Sequence, residues 1–246
     1  MTDSKRSCVY GLGSPAPPPD CALCPRLARF RVANRRAFPD WHNAPVASFG
    51  DRAATLLIVG LAPGLRGANR TGRPFTGDHA GLILYATLRQ FGFARGEYRA
   101  APDDGLELID CRITNAVRCV PPENRPQGDE VNACRQFLAG ELRTAPAPAV
   151  ILPLGGIAHA SVLRALALRA SRHPFRHGAV YRIQGGPTLA PSYHCSRYNL
   201  NTGRLTPAMF EQVFATVRAL VDAACSGRSR DGDAGRNGRG ERAARW

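Results

Sequence analysis

Lysine is almost absent from this 246-residue chain, and so are long apolar runs. Lys5 is the only lysine among 33 basic residues, which outnumber 19 acidic ones and leave a formal net charge of +14. No segment approaches the roughly 20 apolar residues of a membrane span, and residues 1–6 lead into no apolar run typical of a secretory signal. Composition therefore predicts a cytoplasmic protein without a membrane segment. Its arginines, whose planar fork suits phosphate oxygens, predict a polyanionic partner, most commonly nucleic acid.

Disulfide bonds are not expected from the eight cysteines, because the chain is predicted to be cytoplasmic. Cys21 and Cys24 form a CxxC pair, and fourteen residues separate Cys119 from Cys134. Four thiolates suit either an iron–sulfur cluster or a tetrahedral zinc ion. The long gap between the two pairs matches neither a compact zinc ribbon nor a compact ferredoxin run, so spacing alone leaves the metal open.

Strand-like and helix-like segments alternate along residues 21–225, which we interpret as a single domain. Apolar runs predict strands at residues 55–60, 108–117 and 149–154, with shorter strands near residues 179–183 and 188. Helical patterns follow residue 78, cover residues 128–142 and 156–166, and begin at Pro207 with Thr206 as the N-cap. This alternation predicts an α/β fold whose mostly parallel sheet is covered by helices on both faces. The proline-rich residues 1–20 are predicted to be flexible, and residues 226–246, rich in Gly, Arg and Ser, to be disordered.

Turns after the predicted strands carry the candidate chemistry, because sites in such folds lie beyond the carboxyl ends of strands. Residues at four such turns are Gly60, Asn115, Gly155 and His194. Gly60 opens a glycine-rich loop over residues 60–78 that lets backbone amides approach an anion or a planar base closely. The loop lacks the Gly-Lys-Ser/Thr ending of a phosphate-binding Walker A motif.

Three segments in a fixed order carry a specific resemblance. They are the glycine-rich loop at residues 60–78, residues 112–124, and residues 192–197 continued by 201–206. Together they resemble the motifs of family 5 (type B) uracil-DNA glycosylases, and with the four cysteines the resemblance covers residues 21–220. It implies a three-layer α/β/α sandwich that flips uracil out of duplex DNA and hydrolyses the N-glycosidic bond, leaving an abasic site. It also implies a monofunctional DNA repair enzyme that uses water, and acceptance of other deaminated bases such as hypoxanthine and xanthine.

The resemblance assigns roles to individual residues. Asp78 becomes the catalytic carboxylate that aligns water or stabilises the oxocarbenium ion, and His194 the donor to uracil O2. Asp78 also stands where a helix N-cap stands, and the two roles can coexist. The remaining substrate-binding residues are the stacking ring of Phe75, the amide of Asn115 that reads uracil O4 and N3–H, and the loop residues Ala62 and Gly64.

Further expectations concern DNA and the metal. Five arginines are predicted to contact DNA phosphates: Arg66, Arg70, Arg73, Arg197 and Arg204. Tyr198 or Leu200 is the candidate wedge that replaces the flipped base. The resemblance implies that Cys21, Cys24, Cys119 and Cys134 hold a structural 4Fe-4S cluster, with Cys195 a bystander. The partner is double-stranded DNA containing uracil or other deaminated bases, bound by a monomer in the bacterial cytoplasm at the nucleoid.

Two other functions stay open at this point. The first is a non-catalytic iron–sulfur protein that binds DNA and holds a base without cleaving it. Two features favour it: residues 61–62 include no acidic residue, and Cys195 follows His194. The second is a nucleotide-processing enzyme whose glycine-rich loop binds the phosphates of a small molecule. Tight, strongly salt-dependent DNA binding would count against this second function.

Overall fold

The computed structural model describes residues 16–143 and 147–234, and its helices and strands alternate along the chain. The strands are β1 (Leu56–Gly60), β2 (Ala94–Arg95), β3 (Glu107–Leu108), β4 (Cys111–Asn115), β5 (Val150–Pro153), β6 (Tyr181–Arg182) and β7 (Thr188–Leu189). The α-helices are α1 (Pro25–Ala37), α2 (Ala68–Thr71), α3 (His79–Gln90), α4 (Gly128–Arg143), α5 (Gly156–Ala165), α6 (Arg197–Asn201) and α7 (Pro207–Ala234). None of the helices in the two described segments is both long and apolar enough to span a bilayer.

The central sheet has five strands in the order β4-β1-β5-β7-β6. Three of its four pairings are parallel, and only β6 runs antiparallel to its neighbour β7. The separate β2–β3 pair is antiparallel. In the register of β1 with β4, Gly60 pairs with Asn115, so the two strands end at the same edge of the sheet. The predicted mostly parallel sheet is confirmed.

Strand β1 shows how the two faces of the sheet are covered. Leu56 and Ile58 belong to a core shared with α3 and α7, whereas Leu57 and Val59 belong to a second core shared with α4 and α5. Side chains alternate between the faces of a strand, so a continuous apolar run is the pattern of a strand buried on both faces. The chain is therefore a three-layer α/β/α sandwich, as the resemblance implied.

Helix α1, which the sequence patterns did not predict, packs over a third core at the edge of the sandwich. This core joins Leu27 of α1 to Val117, Phe137 and three of the four cysteines named above. Its buried residues include Arg31 and Asn34 besides Leu27, so the buried face of α1 is not apolar. An apolar stripe with helical periodicity is the usual sequence signal of a helix, and α1 lacks it.

Helix α7 begins as predicted but ends later than predicted. Thr206 Oγ1 accepts a hydrogen bond from Met209 N at 3.2 Å, as an N-cap does. The helix continues to Ala234 and so includes the first nine residues, 226–234, of the tail for which the sequence predicts disorder. A helix already packed against the sheet gains one hydrogen bond for each residue added, which favours extension beyond the packed part. The rest of the predicted tail, and residues 1–15 of the predicted flexible N-terminus, lie outside the described residues.

Candidate active site

Glycine at position 60 lets two side chains close over the end of β1. A Cβ on Gly60 would lie 2.3 Å from Asn115 Oδ1 and 2.7 Å from Phe75 Cζ. Both distances are shorter than van der Waals contact. Any larger residue would therefore displace the amide of Asn115 or the ring of Phe75, two groups that sequence analysis placed in the substrate site.

Phe75 occupies a strained backbone position that its surroundings hold in place. Its φ is +53°, a left-handed conformation that is unusual for a bulky residue. Tyr98 Oη donates to Phe75 O at 3.2 Å, and Tyr85 Oη donates to Pro74 O at 2.7 Å. The ring of Phe75 stacks on the imidazole of His194, with centroids 5.8 Å apart. Backbone strain that is fixed in this way is characteristic of functional sites.

Asp78 is the N-cap of α3 and also faces the glycine-rich loop. Its Oδ1 accepts a hydrogen bond from Gly81 N at 2.9 Å, which confirms the capping role. Its Oδ2 is turned toward the loop, where a Cβ on Gly67 would lie 2.6 Å and one on Gly64 3.3 Å from it. Glycine at these positions leaves room for the second oxygen. The carboxylate can therefore cap α3 and still present one oxygen to a ligand.

His194 lies beside this carboxylate in the loop before α6. Burial of the imidazole lowers its pKa, and the nearby charge of Asp78 opposes this effect only partly. A neutral imidazole offers one N–H donor and one acceptor nitrogen. The loop is anchored by Asn199 Nδ2, which donates to His194 O at 2.8 Å, and by Cys195 Sγ, which donates to Ala80 O at 3.5 Å. Burial raises the pKa of the Cys195 thiol to about 12, so this cysteine is inert.

All six predicted catalytic and substrate-binding residues line one cleft of about 600 Å³. They are Ala62, Gly64, Phe75, Asp78, Asn115 and His194. Sequence analysis missed His79, Asn124 and Ser196, which also line it. Asn124 Oδ1 accepts from Leu65 N at 3.2 Å and so fixes the glycine-rich loop. Its place at the end of the second motif is the signal that could have revealed it.

The predicted DNA-contacting arginines fall into two groups. Arg66 and Arg197 line the cleft, and both are exposed, as are Arg70 and Arg204. Arg73 is buried with 5% exposure, and its Nη1 and Nη2 each donate to a carboxylate oxygen of Asp104 at 2.8 Å. Arg73 is therefore not exposed in the way that the other four predicted DNA-contacting arginines are. Its guanidinium forms an internal ion pair with Asp104, and the two residues come together only when the chain folds.

The two wedge candidates differ in exposure. Tyr198 is 71% exposed on α6, one residue after the cleft residue Arg197. Leu200 is partly buried against the main core that includes α3 and α7. Only a side chain that projects into solvent can enter a duplex, so the structure favours Tyr198.

The four cysteines of the predicted metal site line one common cavity, although they come from three distant parts of the sequence. Cys21 and Cys24 precede α1, with Cys24 at its N-cap position, Cys119 follows β4, and Cys134 lies on α4. Arg118 N donates to Cys134 Sγ at 3.3 Å. Within residues 16–143 and 147–234, no three His, Cys, Asp or Glu side chains are grouped closely enough to hold a single metal ion.

Known proteins share both the fold region and the motifs of this chain. The family model of the uracil DNA glycosylase superfamily matches residues 47–218. A type-5 uracil-DNA glycosylase of Thermus thermophilus is 46% identical over 207 residues, which cover 82% of this chain and 94% of that protein. The chain belongs to the type-5 uracil-DNA glycosylases. Type-5 relatives from Mycobacterium leprae and Pyrobaculum aerophilum are 43% and 41% identical, over 82% and 84% of this chain and 91% and 90% of their own lengths.

Membership of the type-5 uracil-DNA glycosylases confirms the family predicted from the three motifs. It also confirms the predicted class of enzyme, a DNA repair hydrolase that acts on N-glycosyl bonds. The roles of individual residues in the cleft and the metal held by the cysteines remain predictions.

Proposed function

We propose that this chain removes uracil from double-stranded DNA by hydrolysis within the cleft. The observation that carries the proposal is the meeting of a carboxylate, an amide, an aromatic ring and a neutral imidazole in one space at the carboxyl edge of the sheet. They come from three separate segments of the chain: Phe75 and Asp78 from the glycine-rich loop, Asn115 from the end of β4, and His194 from the loop before α6. Each group matches one requirement of base excision.

Recognition of the flipped base falls to Phe75 and Asn115. The phenyl ring offers an apolar face on which a base can stack, and the amide offers one donor and one acceptor to uracil O4 and N3–H. Both groups are held against Gly60, so their relative position is fixed. Cytosine carries an amino donor at the position of uracil O4, and an amide oriented for uracil would meet it with a second donor.

Cleavage of the glycosidic bond needs opposite charges to be stabilised at two places. The bond electrons leave with the base, so negative charge develops on uracil O2, where neutral His194 donates a hydrogen bond. Positive charge develops on the sugar, and the Oδ2 of Asp78 is free to stabilise it or to align the attacking water. None of the residues that line the cleft carries a primary amine. Without an amine in the cleft no Schiff base with the DNA is expected, and water is the nucleophile that we propose.

Binding of the duplex is assigned to the exposed arginines and Tyr198. Arg66 and Arg197 line the cleft, and Arg70 and Arg204 are further exposed arginines that we assign to the same role. Such contacts position DNA without reading its sequence. Tyr198 fills the gap that the extruded nucleotide leaves. We further propose that the enzyme acts as a monomer in the bacterial cytoplasm, at the nucleoid where its substrate lies.

The four cysteines have the chemistry expected for a 4Fe-4S cluster, which four thiolates can hold. All four cysteines line one common cavity, which is the convergence that a cluster bound by four thiolates requires. When bound, the cluster would supply a structural cross-link. Cys21 and Cys24 would then be tied to Cys119 and Cys134, and α1 would be held against β4 and α4.

Deaminated purines are a second substrate class that the cleft favours. Its volume of about 600 Å³ exceeds what a single pyrimidine requires, and the rim formed by residues 61–68 consists largely of small side chains. We therefore propose hypoxanthine and xanthine as additional substrates. Release of these bases from matched duplexes tests this part separately from uracil.

The decisive experiment measures free base released from a duplex oligonucleotide that carries one uracil. Wild-type enzyme should release uracil and leave an intact strand with an abasic site. Asp78→Asn and His194→Ala should abolish release, and Asn at position 78 retains a good helix cap, so the first variant should fold normally. Asp103→Asn, an exposed carboxylate away from the cleft, is the control. DNA binding without release of uracil would favour the non-catalytic DNA-binding protein. Hydrolysis of nucleotides without salt-dependent DNA binding would favour the nucleotide-processing enzyme.

A further inference from the structure

Arg31 is a buried cation for which the described part of the chain provides no carboxylate partner. It lies on α1 with 4% exposure. The nearby carboxylate of Asp20 is largely exposed and pairs with Arg35. Burying a charge without a counter-charge is strongly destabilising, because the charge loses its hydration and gains no ion pair in return. Such a residue is retained only where an anion balances it.

The other buried arginines show what Arg31 lacks. Arg73 is paired with Asp104, and Arg118 with Glu141, each by a direct ion pair. These three are the arginines that the described residues bury fully. Unlike Arg73 and Arg118, Arg31 forms no direct ion pair with a carboxylate of the described residues, so another anion is needed to balance its charge.

The contacts of Arg31 point to the cysteines. Nη1 donates to Cys119 Sγ at 3.5 Å, and Nη2 donates to Cys21 O at 2.9 Å. Nε is buried without a partner in the described structure. Arg31 also lines the cavity that the four cysteines share. The guanidinium thus lies against the ligand atoms of the proposed cluster.

We infer that Arg31 is the counter-charge of an anionic iron–sulfur group at the four cysteines. This inference rests on the cluster in the proposed function. Four thiolates give such a group a net negative charge, and reduction by one electron adds to it. A fixed positive charge that donates N–H to a ligating sulfur stabilises the group, and stabilises its reduced form most. Arg31 therefore slows cluster loss and raises its reduction potential.

The test compares Arg31→Met, Arg31→Lys and the control Arg29→Met as purified, cluster-loaded proteins. Arg29 lies on the same helix and is exposed. The readouts are iron and sulfide per chain, the rate at which a chelator bleaches the visible absorbance, and the midpoint potential from voltammetry. Partners of metal ligands typically contribute about 10–100-fold to metal affinity. Arg31→Met should lose iron faster by about that factor and have a lower potential, whereas Arg29→Met should match wild type.

Charge rescue separates a counter-charge from simple packing. Arg31→Lys keeps the charge but loses the planar fork, so its potential should return most of the way to that of wild type. If Arg31→Met gives no soluble protein, the neutral Arg31→Gln takes its place with the same expectation. If a cluster-loaded Arg31→Met or Arg31→Gln protein has the wild-type midpoint potential and the wild-type rate of iron loss, the inference about Arg31 is overturned and the proposed cluster is not. Wild-type protein that holds no iron overturns the cluster first, and the inference with it.

Discussion

Replacing Gly60 by alanine should impair base recognition in a protein that still folds. The new methyl group would lie 2.3 Å from Asn115 Oδ1 and 2.7 Å from Phe75 Cζ. Gly60 lies in β1 with an ordinary φ, so alanine strains no backbone there. To restore ordinary contact, the amide of Asn115 must retreat by about 1 Å.

A shift of that size sets the expected magnitude. A misplacement of about 1 Å can cost about 100-fold in rate, so kcat/KM for uracil release should fall by that factor. Overpacking a core position costs about 1–3 kcal/mol, which lowers the free energy of unfolding without preventing folding. Steady-state release from a uracil duplex and urea denaturation measure the two effects.

Gly156→Ala is the matched control for this substitution. Gly156 starts α5 near the same edge of the sheet, and a Cβ there would make an ordinary 3.7 Å contact with Phe175. Its activity should equal that of wild type. If Gly60→Ala retains kcat/KM within twofold of wild type while losing stability as expected, the positions of Asn115 and Phe75 do not govern recognition, and the proposed reading of uracil is refuted.

Further predictions concern stability, DNA and the nucleophile. Asp104→Asn should lower the free energy of unfolding by about 3–5 kcal/mol in urea, because it leaves Arg73 buried without a counter-charge; an unchanged midpoint would contradict this. Arg73 holds the pKa of Asp104 below its ordinary value of 3.8, so stability should fall as pH drops below that value, where the unfolded chain takes up the proton first. Tyr198→Ala should reduce uracil release from duplex but not from single-stranded DNA. Borohydride should trap no covalent enzyme–DNA complex; efficient trapping would disprove hydrolysis by water.

Sequence reasoning could locate most of the sandwich because its signals are local. A strand buried on both faces must be continuously apolar, and residues 55–60 and 149–154 meet that condition. The site followed from topology, since parallel strands bring their carboxyl ends to one edge. The sequence therefore predicts that Asn115 and His194, 79 positions apart in the numbering, lie close together.

What the sequence concealed depends on partners that only folding supplies. Arg73 lies in a glycine-rich loop among exposed arginines, and its sequence neighbours do not distinguish it from them. It is buried because its guanidinium pairs with Asp104, 31 positions later in the chain. Helix α1 was missed for a related reason. Its inner face carries Leu27, Arg31 and Asn34, and the guanidinium of Arg31 bonds to Cys119 Sγ and Cys21 O, atoms that lie outside the helix. A search for apolar residues at helical spacing cannot detect a buried helix face that is largely polar.

The helix cap made by Asp78 has a consequence for the entropy of the reaction. Because Gly81 N–H binds Oδ1, the carboxylate cannot rotate freely about its own side-chain bonds. The second oxygen is therefore preorganised before DNA arrives, and little torsional freedom is left to lose as the transition state forms. The hydrogen bond that caps α3 thus also orients the carboxylate. The side-chain entropy of Asp78 is lost once, when the protein folds, and does not have to be lost again in each catalytic cycle.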